Sequence, residues 1–180
     1  MVRTVGEVIM NLWVYIEEGG SIMYVLLLLN IVGLALMAFK IYSLYICEKS
    51  TGVTAQGIAD RINQSKERDS ESKMQLARQD LNSYMAQAEK GLNAIRLIAA
   101  IAPLLGLLGT VVGVYMAFKV IAVAGMSDPS KFAQGLSLAL ITTVGGLIVA
   151  IPHYVGHTYL IGVLDRLEIT LERELANRLL

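Results

Sequence analysis

Residues 132–164 read FAQGLSLALITTVGGLIVAIPHYVGHTYLIGVL, a run of 33 residues without Asp, Glu, Lys or Arg. Two further runs lack these four residue types, one of 22 residues at 97–118 and one of 19 at 21–39. At a rise of about 1.5 Å per residue, about 20 helical residues cross a hydrocarbon core of roughly 30 Å. The three runs therefore predict three membrane-spanning helices, and the longest helix must continue beyond the bilayer.

The composition of the 180-residue chain agrees with this prediction. Hydrophobic residues make up 55% and charged residues 17%, with a mean hydropathy of +0.58, which argues against a soluble domain. Fifteen basic residues balance fifteen acidic ones, so the chain lacks the positive field that nucleic-acid binding requires. The lipid bilayer is the expected partner, and nucleic acid is not. The single cysteine, Cys47, excludes an intrachain disulfide and is interpreted as a small hydrophobic residue at a helix end.

The distribution of basic residues predicts how the chain is oriented. With three spans, residues 1–20 and the hairpin at 119–131 share one side of the membrane and hold three basic residues. Residues 40–96 and the tail from residue 165 share the other side and hold twelve. Because cytoplasmic segments carry the excess of Lys and Arg, the N-terminus is predicted to lie outside and the C-terminus in the cytoplasm.

The predicted fold is an all-α integral membrane protein with three transmembrane helices, the second and third extended into the cytoplasm, and a short N-terminal amphipathic interfacial helix. A frayed N-terminus is the alternative for that short helix. Gly19, Gly20 and Ser21 predict a break before the first span, and Asp128 with Pro129 predicts a strong helix start before the third. The predicted segments are an outer amphipathic helix at 1–20, span 1 at 21–47, a cytoplasmic helical segment at 48–96, span 2 at 97–122, an outer hairpin at 123–130, span 3 at 131–156 and a cytoplasmic C-terminal helix at 157–180.

Two stripes of larger apolar residues recur at helical spacing outside the spans, and they predict packing seams rather than ligand sites. The first predicts a cytoplasmic helix that runs unbroken into the second span, and the second predicts that the third span continues into the tail. Their members are Met74, Ala77, Leu81, Met85, Ala88, Leu92 and Ile95, and then Leu160, Leu164, Leu167, Leu171 and Leu175.

Small residues form two matched stripes inside the second and third spans. Each stripe has spacings of four, four, three and four with a threonine in the middle, and small residues let helices approach closely in lipid. Helix packing alone would explain this pattern. The stripes are Ala102, Gly106, Thr110, Gly113 and Ala117, and Gly135, Ala139, Thr143, Gly146 and Ala150.

The alternative to packing alone is a polar path through the membrane. Thr110, Thr143 and the adjacent Thr142 carry hydroxyls that both donate and accept hydrogen bonds, so they could solvate water or a carboxyl group. Proton relays in membranes usually need an ionisable group, and the three runs hold no Asp, Glu, Lys or Arg. If the protein conducts protons, the titrating carboxylate must come from a partner helix.

Other polar or helix-bending residues carry weaker predictions. Pro103 and Pro152 fall toward the cytoplasmic ends of their spans, where they should bend the helices and shape a cytoplasmic mouth. His153 and His157 have metal-ligand spacing but no third ligand nearby, so we predict no metal site and favour an interfacial pair that responds to pH. Nucleotide-binding, nucleophile-elbow and zinc-protease motifs are absent from the sequence, and neither an enzyme nor a cofactor is expected.

Residues 101–113, IAPLLGLLGTVVG, and 135–152, GLSLALITTVGGLIVAIP, resemble the two signature spans of the MotA/TolQ/ExbB proton-channel family. The resemblance covers roughly residues 92–159, and the three-span layout is similar to the ExbB and TolQ branch, since MotA-like stators have four spans. It implies a homo-pentamer in the inner membrane, with periplasm on the outer side, around an ExbD- or TolR-like partner that supplies a membrane aspartate. Thr110 and Thr143 match the family's pore threonines.

The resemblance also implies that proton passage drives rotation of the ring, which energises the outer membrane through a TonB- or TolA-like protein. One position departs from the family pattern, because many ExbB and TolQ relatives carry glutamate where this chain has Leu138. Two other functions remain open: a structural membrane scaffold whose stripes only pack helices, and a stand-alone small-solute channel, which the absence of charge in the spans disfavours.

Overall fold

The computed structural model describes residues 13–64, 70–124 and 129–179. That part of the chain contains no β-strand and forms a short helical segment at 13–18 followed by α1 (Gly20–Lys49), α2 (Thr51–Asn63), α3 (Ser70–Glu89), α4 (Leu92–Ala124) and α5 (Pro129–Leu179). Helices α1, α4 and α5 are long and apolar enough to cross a membrane. The prediction of an all-α membrane protein with three spans is therefore confirmed.

The break before the first span is also confirmed. The helical segment at 13–18 ends in a turn at Gly19, whose N–H donates to the Tyr15 carbonyl at 3.0 Å, and Gly20 has a φ of +62°. The remainder of the predicted N-terminal helix at 1–12 lies outside the described residues, as do residues 125–128 of the predicted hairpin, including the capping Asp128.

Helix α5 runs for 51 residues without interruption, so the predicted extension of the third span into the tail is confirmed. It continues through Pro152, as α4 continues through Pro103. A proline removes one backbone donor from a helix, and inside a protein the neighbouring helices can compensate for that loss.

Two compact units make up the chain. The first comprises the described parts of Met1–Leu34 and Arg96–Tyr154 and holds most of the membrane-spanning sequence. Its buried core brings one residue of α1 against the facing sides of α4 and α5, so that all three spans share one cluster. The members are Leu26, Ile98, Ala102, Val149 and Ala150.

The second unit comprises the described parts of Ala35–Ile95 and Val155–Leu180. Helices α2 and α3 pack against each other there, and exposed Arg61 and half-buried Asp80 lie 3.6 Å apart across their contact. All five leucines of the tail stripe are buried in this core together with Ala77, Leu81, Met85, Leu92 and Ile95. The prediction that both stripes are packing seams is confirmed.

The predicted unbroken helix from the cytoplasmic segment into the second span is wrong. Helix α3 ends at Glu89 and α4 begins at Leu92, because Gly91 adopts a left-handed φ of +92°. The ammonium of Lys40, a side chain only 8% exposed, donates to the Ala88 carbonyl at 3.0 Å in the last turn of α3. A cation at a helix C-terminus stabilises the exposed carbonyls and the dipole, so Lys40 caps α3 at the break.

Replacing Gly91 with alanine should destabilise the protein, since the left-handed conformation costs an L-residue about 1–2 kcal/mol. Gly57 is a matched control, because it lies inside α2 with open space around it. Gly57→Ala should stabilise the helix by about 0.5–1 kcal/mol. The midpoint of thermal unfolding in detergent, followed by circular dichroism, should therefore fall for Gly91→Ala and rise for Gly57→Ala. A shift in the same direction would contradict the assigned conformation of Gly91.

Candidate functional site

The two stripes of small residues face each other in the first unit and bring α4 and α5 into backbone contact. We call this contact the α4–α5 seam. Most members of the seam are buried, and only Gly135 is half-buried. The seam consists of Ala102, Gly106, Gly113 and Ala117 from α4 and Gly135, Ala139, Gly146 and Ala150 from α5.

Distances across the seam explain why its residues are small. A methyl group added to Gly146 would lie 2.6 Å from the Ala102 carbonyl oxygen and 3.1 Å from the Gly106 α-carbon. A methyl group added to Gly113 would lie 2.6 Å from the Gly135 carbonyl oxygen. Because these obstacles are backbone atoms, no side-chain rotation relieves the overlap. The close approach therefore depends on glycine at these positions.

Thr142 is fully buried between the two helices. Its hydroxyl contacts the carbonyls of Leu138 and Ala139 on its own helix at 3.0 Å each. Its side chain lies where a methyl group on Gly109 would be, so Gly109 forms a recess for it. A hydroxyl bonded to the preceding turn needs no water, and the surroundings of Thr142 favour a packing role.

Thr143 and Thr110 are both half-buried, and their hydroxyls have different partners. The Thr143 hydroxyl lies 3.3 Å from the Gly106 carbonyl across the seam and 3.3 Å from the Ala139 carbonyl of its own helix. Thr110 donates to the Leu107 carbonyl of its own helix at 2.6 Å. Bonds of 3.3 Å are at the long, weak end for a hydroxyl donor, so the Thr143 hydroxyl can exchange its partners most readily.

The structure does not bring every predicted residue to the seam. Pro103 is half-buried and Pro152 is exposed, and neither is among the close contacts of the seam glycines. His153 is completely buried in the first unit, whereas His157 is half-buried in the second. Among the described residues, no group of three or more His, Cys, Asp or Glu side chains could hold a metal ion.

An open cavity of about 410 Å³ lies beside Met116 and Val120 of α4 and Gln134 and Gly135 of α5. Leu138 lines it together with Gln134 and the carboxylate-bearing Glu17 and Glu18. Glu17 also accepts a hydrogen bond from the Trp13 indole at 2.8 Å. Leu138 thus faces a cavity that also holds two carboxylates from the segment before α1.

Three close contacts in the first unit were not predicted from the sequence. Besides Gly109 under Thr142, a methyl group on Gly145 would lie 2.7 Å from the Met23 sulfur, and one on Gly33 would overlap the His153 ring. Glycine inside a helix costs stability, so its presence at these positions was a signal of close approach. Nothing in the sequence pattern indicated which side chain each glycine receives.

The MotA/TolQ/ExbB proton channel family matches residues 49–173, which include the whole of the α4–α5 seam. The matched segment covers more than half of the chain. The chain belongs to this family. With its three apolar helices, it is a multi-pass membrane protein of a family of proton channels, which is not an enzyme class.

Individual members of the family are similar to this chain over the same region. A biopolymer transport protein of Vibrio cholerae is 43% identical over 96 residues, which is 53% of this chain and 42% of that protein. An ExbB biopolymer transport protein of Aquifex aeolicus is 41% identical over 80 residues, 42% of this chain and 54% of that protein. A putative ExbB homolog of Methanothermobacter thermautotrophicus is 41% identical over 81 residues, which is 45% of this chain and 28% of that protein. The chain thus matches about half or less of the length of these relatives.

Gly146→Ala should destabilise this MotA/TolQ/ExbB family member by about 1–3 kcal/mol, because the new methyl group meets backbone rather than a side chain. Gly162 lies in the same helix with nothing within 4 Å of an added methyl group, so Gly162→Ala is the matched control. Thermal unfolding in detergent should show a lower midpoint for Gly146→Ala and an equal or higher midpoint for Gly162→Ala. An unchanged midpoint for Gly146→Ala would mean that α4 and α5 are farther apart than described.

Proposed function

We propose that this chain is the channel-forming subunit of a proton-driven motor in a bacterial inner membrane. Five copies form a ring around an ExbD- or TolR-like partner whose membrane aspartate carries the proton. Proton flow through the complex is coupled to transport or envelope maintenance at the outer membrane, through a TonB- or TolA-like protein. Membership in a proton channel family and similarity to proteins named for biopolymer transport support this proposal.

The observation that carries the proposal is the state of the Thr143 hydroxyl. It is half-buried at the middle of the seam, and its two carbonyl contacts are both 3.3 Å long. A hydroxyl held this weakly can turn to a water molecule or to a partner carboxyl group without a large loss of hydrogen bonding. Thr143 is therefore the residue of this chain that we assign to the proton path. Thr110, on the facing helix, is the second.

The source of the proton-carrying group follows from what the spans contain. The three runs that cross the bilayer hold no Asp, Glu, Lys or Arg. A hydroxyl path can orient water but does not itself take up a proton near neutral pH. The partner's aspartate supplies that function, and Leu138 leaves no carboxylate at the position where many relatives have one.

A ring of copies would also account for the exposed apolar faces of α4 and α5. These faces carry large side chains with about half or more of their surface exposed in the single chain, and they need lipid or another subunit to cover them. Examples on the two helices are Leu104, Leu107, Val111, Tyr115 and Phe118, and Leu140, Val144, Ile148, Ile151 and Tyr154. The proposed orientation places the N-terminus in the periplasm and the C-terminus in the cytoplasm, as the excess of basic residues predicts.

A structural scaffold is the second candidate, and one observation favours it. The close contacts of Gly106, Gly113 and Gly146 join two helices of the same chain, and buried Thr142 packs in the recess at Gly109. The matched stripes are therefore explained by helix packing without any conduction. The scaffold gives no role to the half-buried hydroxyls of Thr110 and Thr143. Removing these hydroxyls therefore distinguishes the two candidate functions.

Thr143→Val keeps the shape of the side chain and removes the hydroxyl. Because one hydrogen bond contributes about 0.5–1.5 kcal/mol, proton flux with the partner present should fall roughly two- to tenfold. Proton flux is measured in vesicles whose membrane contains the chain and an ExbD/TolR-like partner. A pH-sensitive dye inside the vesicles reports their acidification. Thr143→Ser restores the hydroxyl and should recover most of the flux.

Thr170→Val is the matched control for this substitution. Thr170 lies on the exposed surface of the same helix and donates to the Arg166 carbonyl at 2.8 Å, so its loss should leave flux unchanged. Equal flux in the wild type, Thr143→Val and Thr170→Val would support the scaffold and contradict the proposed path.

The native mass of the chain purified alone in mild detergent tests the ring. We expect the protein mass to equal five copies of the 19.6-kDa chain, measured by native mass spectrometry or light scattering with the detergent subtracted. Five copies are expected because the chain resembles the ring-forming ExbB and TolQ branch, and the exposed apolar faces of α4 and α5 leave room for contacts between copies. A stable monomer or dimer, both alone and with the partner, would contradict the ring.

A further inference from the structure

His153 occupies an unusual position in the first unit. Its side chain is completely buried, and Nδ1 lies 2.7 Å from the Val149 carbonyl oxygen. Since a carbonyl only accepts, Nδ1 carries a hydrogen and donates it. The other ring nitrogen, Nε2, is then a bare acceptor in the neutral ring, and it is buried without a hydrogen-bond partner.

The residue that meets this bare nitrogen is Gly33 of α1. A methyl group on Gly33 would overlap Nε2, and it would also lie 3.1 Å from Cδ1 of Ile98 on α4. The imidazole edge of His153 therefore rests against the α-carbon of Gly33, beside an isoleucine methyl group. Only glycine leaves room for this contact, which connects the first span to the third.

No charged group in the surrounding spans faces the ring. The uncharged runs at 21–39 and 97–118 provide the sides of α1 and α4 that pack here, and the run on α5 contains only His153 and His157 as titratable imidazoles. The nearest charged residues along these helices are Lys40 of α1, which is bonded to the Ala88 carbonyl, Arg96 of α4, which is exposed, and Asp165 of α5, which is exposed in the second unit. Lys40 and Arg96 offer no acceptor, Asp165 lies about three turns beyond His153, and His157 follows one turn after His153 on α5.

Protonation of Nε2 is incompatible with this contact. An N–H at Nε2 would face the Gly33 α-carbon and the Ile98 methyl group, with no acceptor among the described residues around it. Burying a charged donor without a partner is far more costly than burying a bare acceptor nitrogen. The seated ring is thus neutral, and a protonated ring must leave Gly33 to reach water or an acceptor.

We propose that His153 is a proton-controlled latch that positions the third span against the first. The neutral ring, seated on Gly33, holds α5 in the conducting arrangement, and protonation from the cytoplasmic side releases it. The link to the seam is direct, because His153 donates to Val149, and Val149 and Ala150 share a buried cluster with Ala102. Release therefore loosens the part of the seam around Val149 and Ala150, so that flux falls as the cytoplasm becomes more acidic.

The consequence for flux rests on the proposed proton-channel function, but the latch itself is tested without flux. The chain has two histidines, so ¹⁵N labelling of histidine followed by NMR of the whole chain in detergent gives two ring systems, which His157→Asn assigns. For His153 we expect a protonated Nδ1 and a bare Nε2 at pH 8. An Nε2–H tautomer at pH 8 would overturn the latch.

Spin labels at the exposed positions Ile31 of α1 and Tyr154 of α5, in a Cys47→Ala background, report the distance between the two spans. We expect this distance to lengthen or broaden as the pH is lowered from 8, because a protonated ring finds no acceptor in the seated position. Gly33→Ala should give the released distance at every pH. The double variant Gly33→Ala/His153→Ala removes the overlap and should return the seated distance at every pH. A distance between the labels that changes neither with pH nor in Gly33→Ala would overturn the proposal.

Flux measurements with the partner then connect the latch to conduction. Wild-type flux should fall as the cytoplasmic-side pH falls, by at most about tenfold per unit, the limit for one proton. His153→Asn keeps a donor near Val149 but does not titrate, and its flux should lose this pH dependence. His157→Asn should keep it.

The outcomes separate the latch from the function on which it rests. A pH dependence of flux that persists in His153→Asn, or that disappears only in His157→Asn, would overturn the role of His153. Absence of flux in every chain, with the distance change intact, would overturn the proposed function and leave the latch standing as a conformational switch.

Discussion

The backbones of α4 and α5 touch along the seam, and this contact constrains the rest of the membrane-spanning unit. Hydrocarbon tails are as apolar as leucine, so the hydrophobic effect does not hold helices together inside a bilayer. Packing and polar contacts must do so, and both increase as the helices approach. At Gly113 and Gly146 an added methyl group would lie 2.6 Å from a carbonyl oxygen, which means that these helices are as close as their backbones permit.

The close approach decides what each threonine can do. Thr142 points into the contact, fills the recess at Gly109 and satisfies its hydroxyl on its own helix at 3.0 Å. Thr143, one residue later, lies a third of a turn away and is only half-buried, with both carbonyl contacts at 3.3 Å. Adjacent residues of the same type therefore differ in their surroundings. Thr142 packs between the helices, and Thr143 has the weakly held hydroxyl that we propose for the proton path.

Glycine is used in this protein for three separate physical reasons. Gly106 and Gly146 let two backbones meet, Gly33 leaves space for the imidazole of His153, and Gly91 adopts a φ of +92° that ends α3 before α4 begins. The first two uses depend on the absence of a side chain, and the third on conformational freedom. Lys40, the buried cation that caps α3 beside Gly91, belongs with the third use, because the break leaves carbonyls that need a donor.

The sequence alone determined the three spans, the long continuous α5, the packing stripes outside the spans and the two stripes of small residues in α4 and α5. All of these follow from the spacing of apolar, small and charged residues, and that spacing is a property of a single helix. The break at Gly91 was not predicted, since Ala88, Leu92 and Ile95 keep helical spacing across it and all pack in the same unit. Only the tertiary structure decided that Thr142 is buried at Gly109, that Gly33 receives His153 and that Lys40 reaches Ala88. Each of these is a contact between residues on different helices, and periodicity along one helix carries no information about which residue of another helix it will meet.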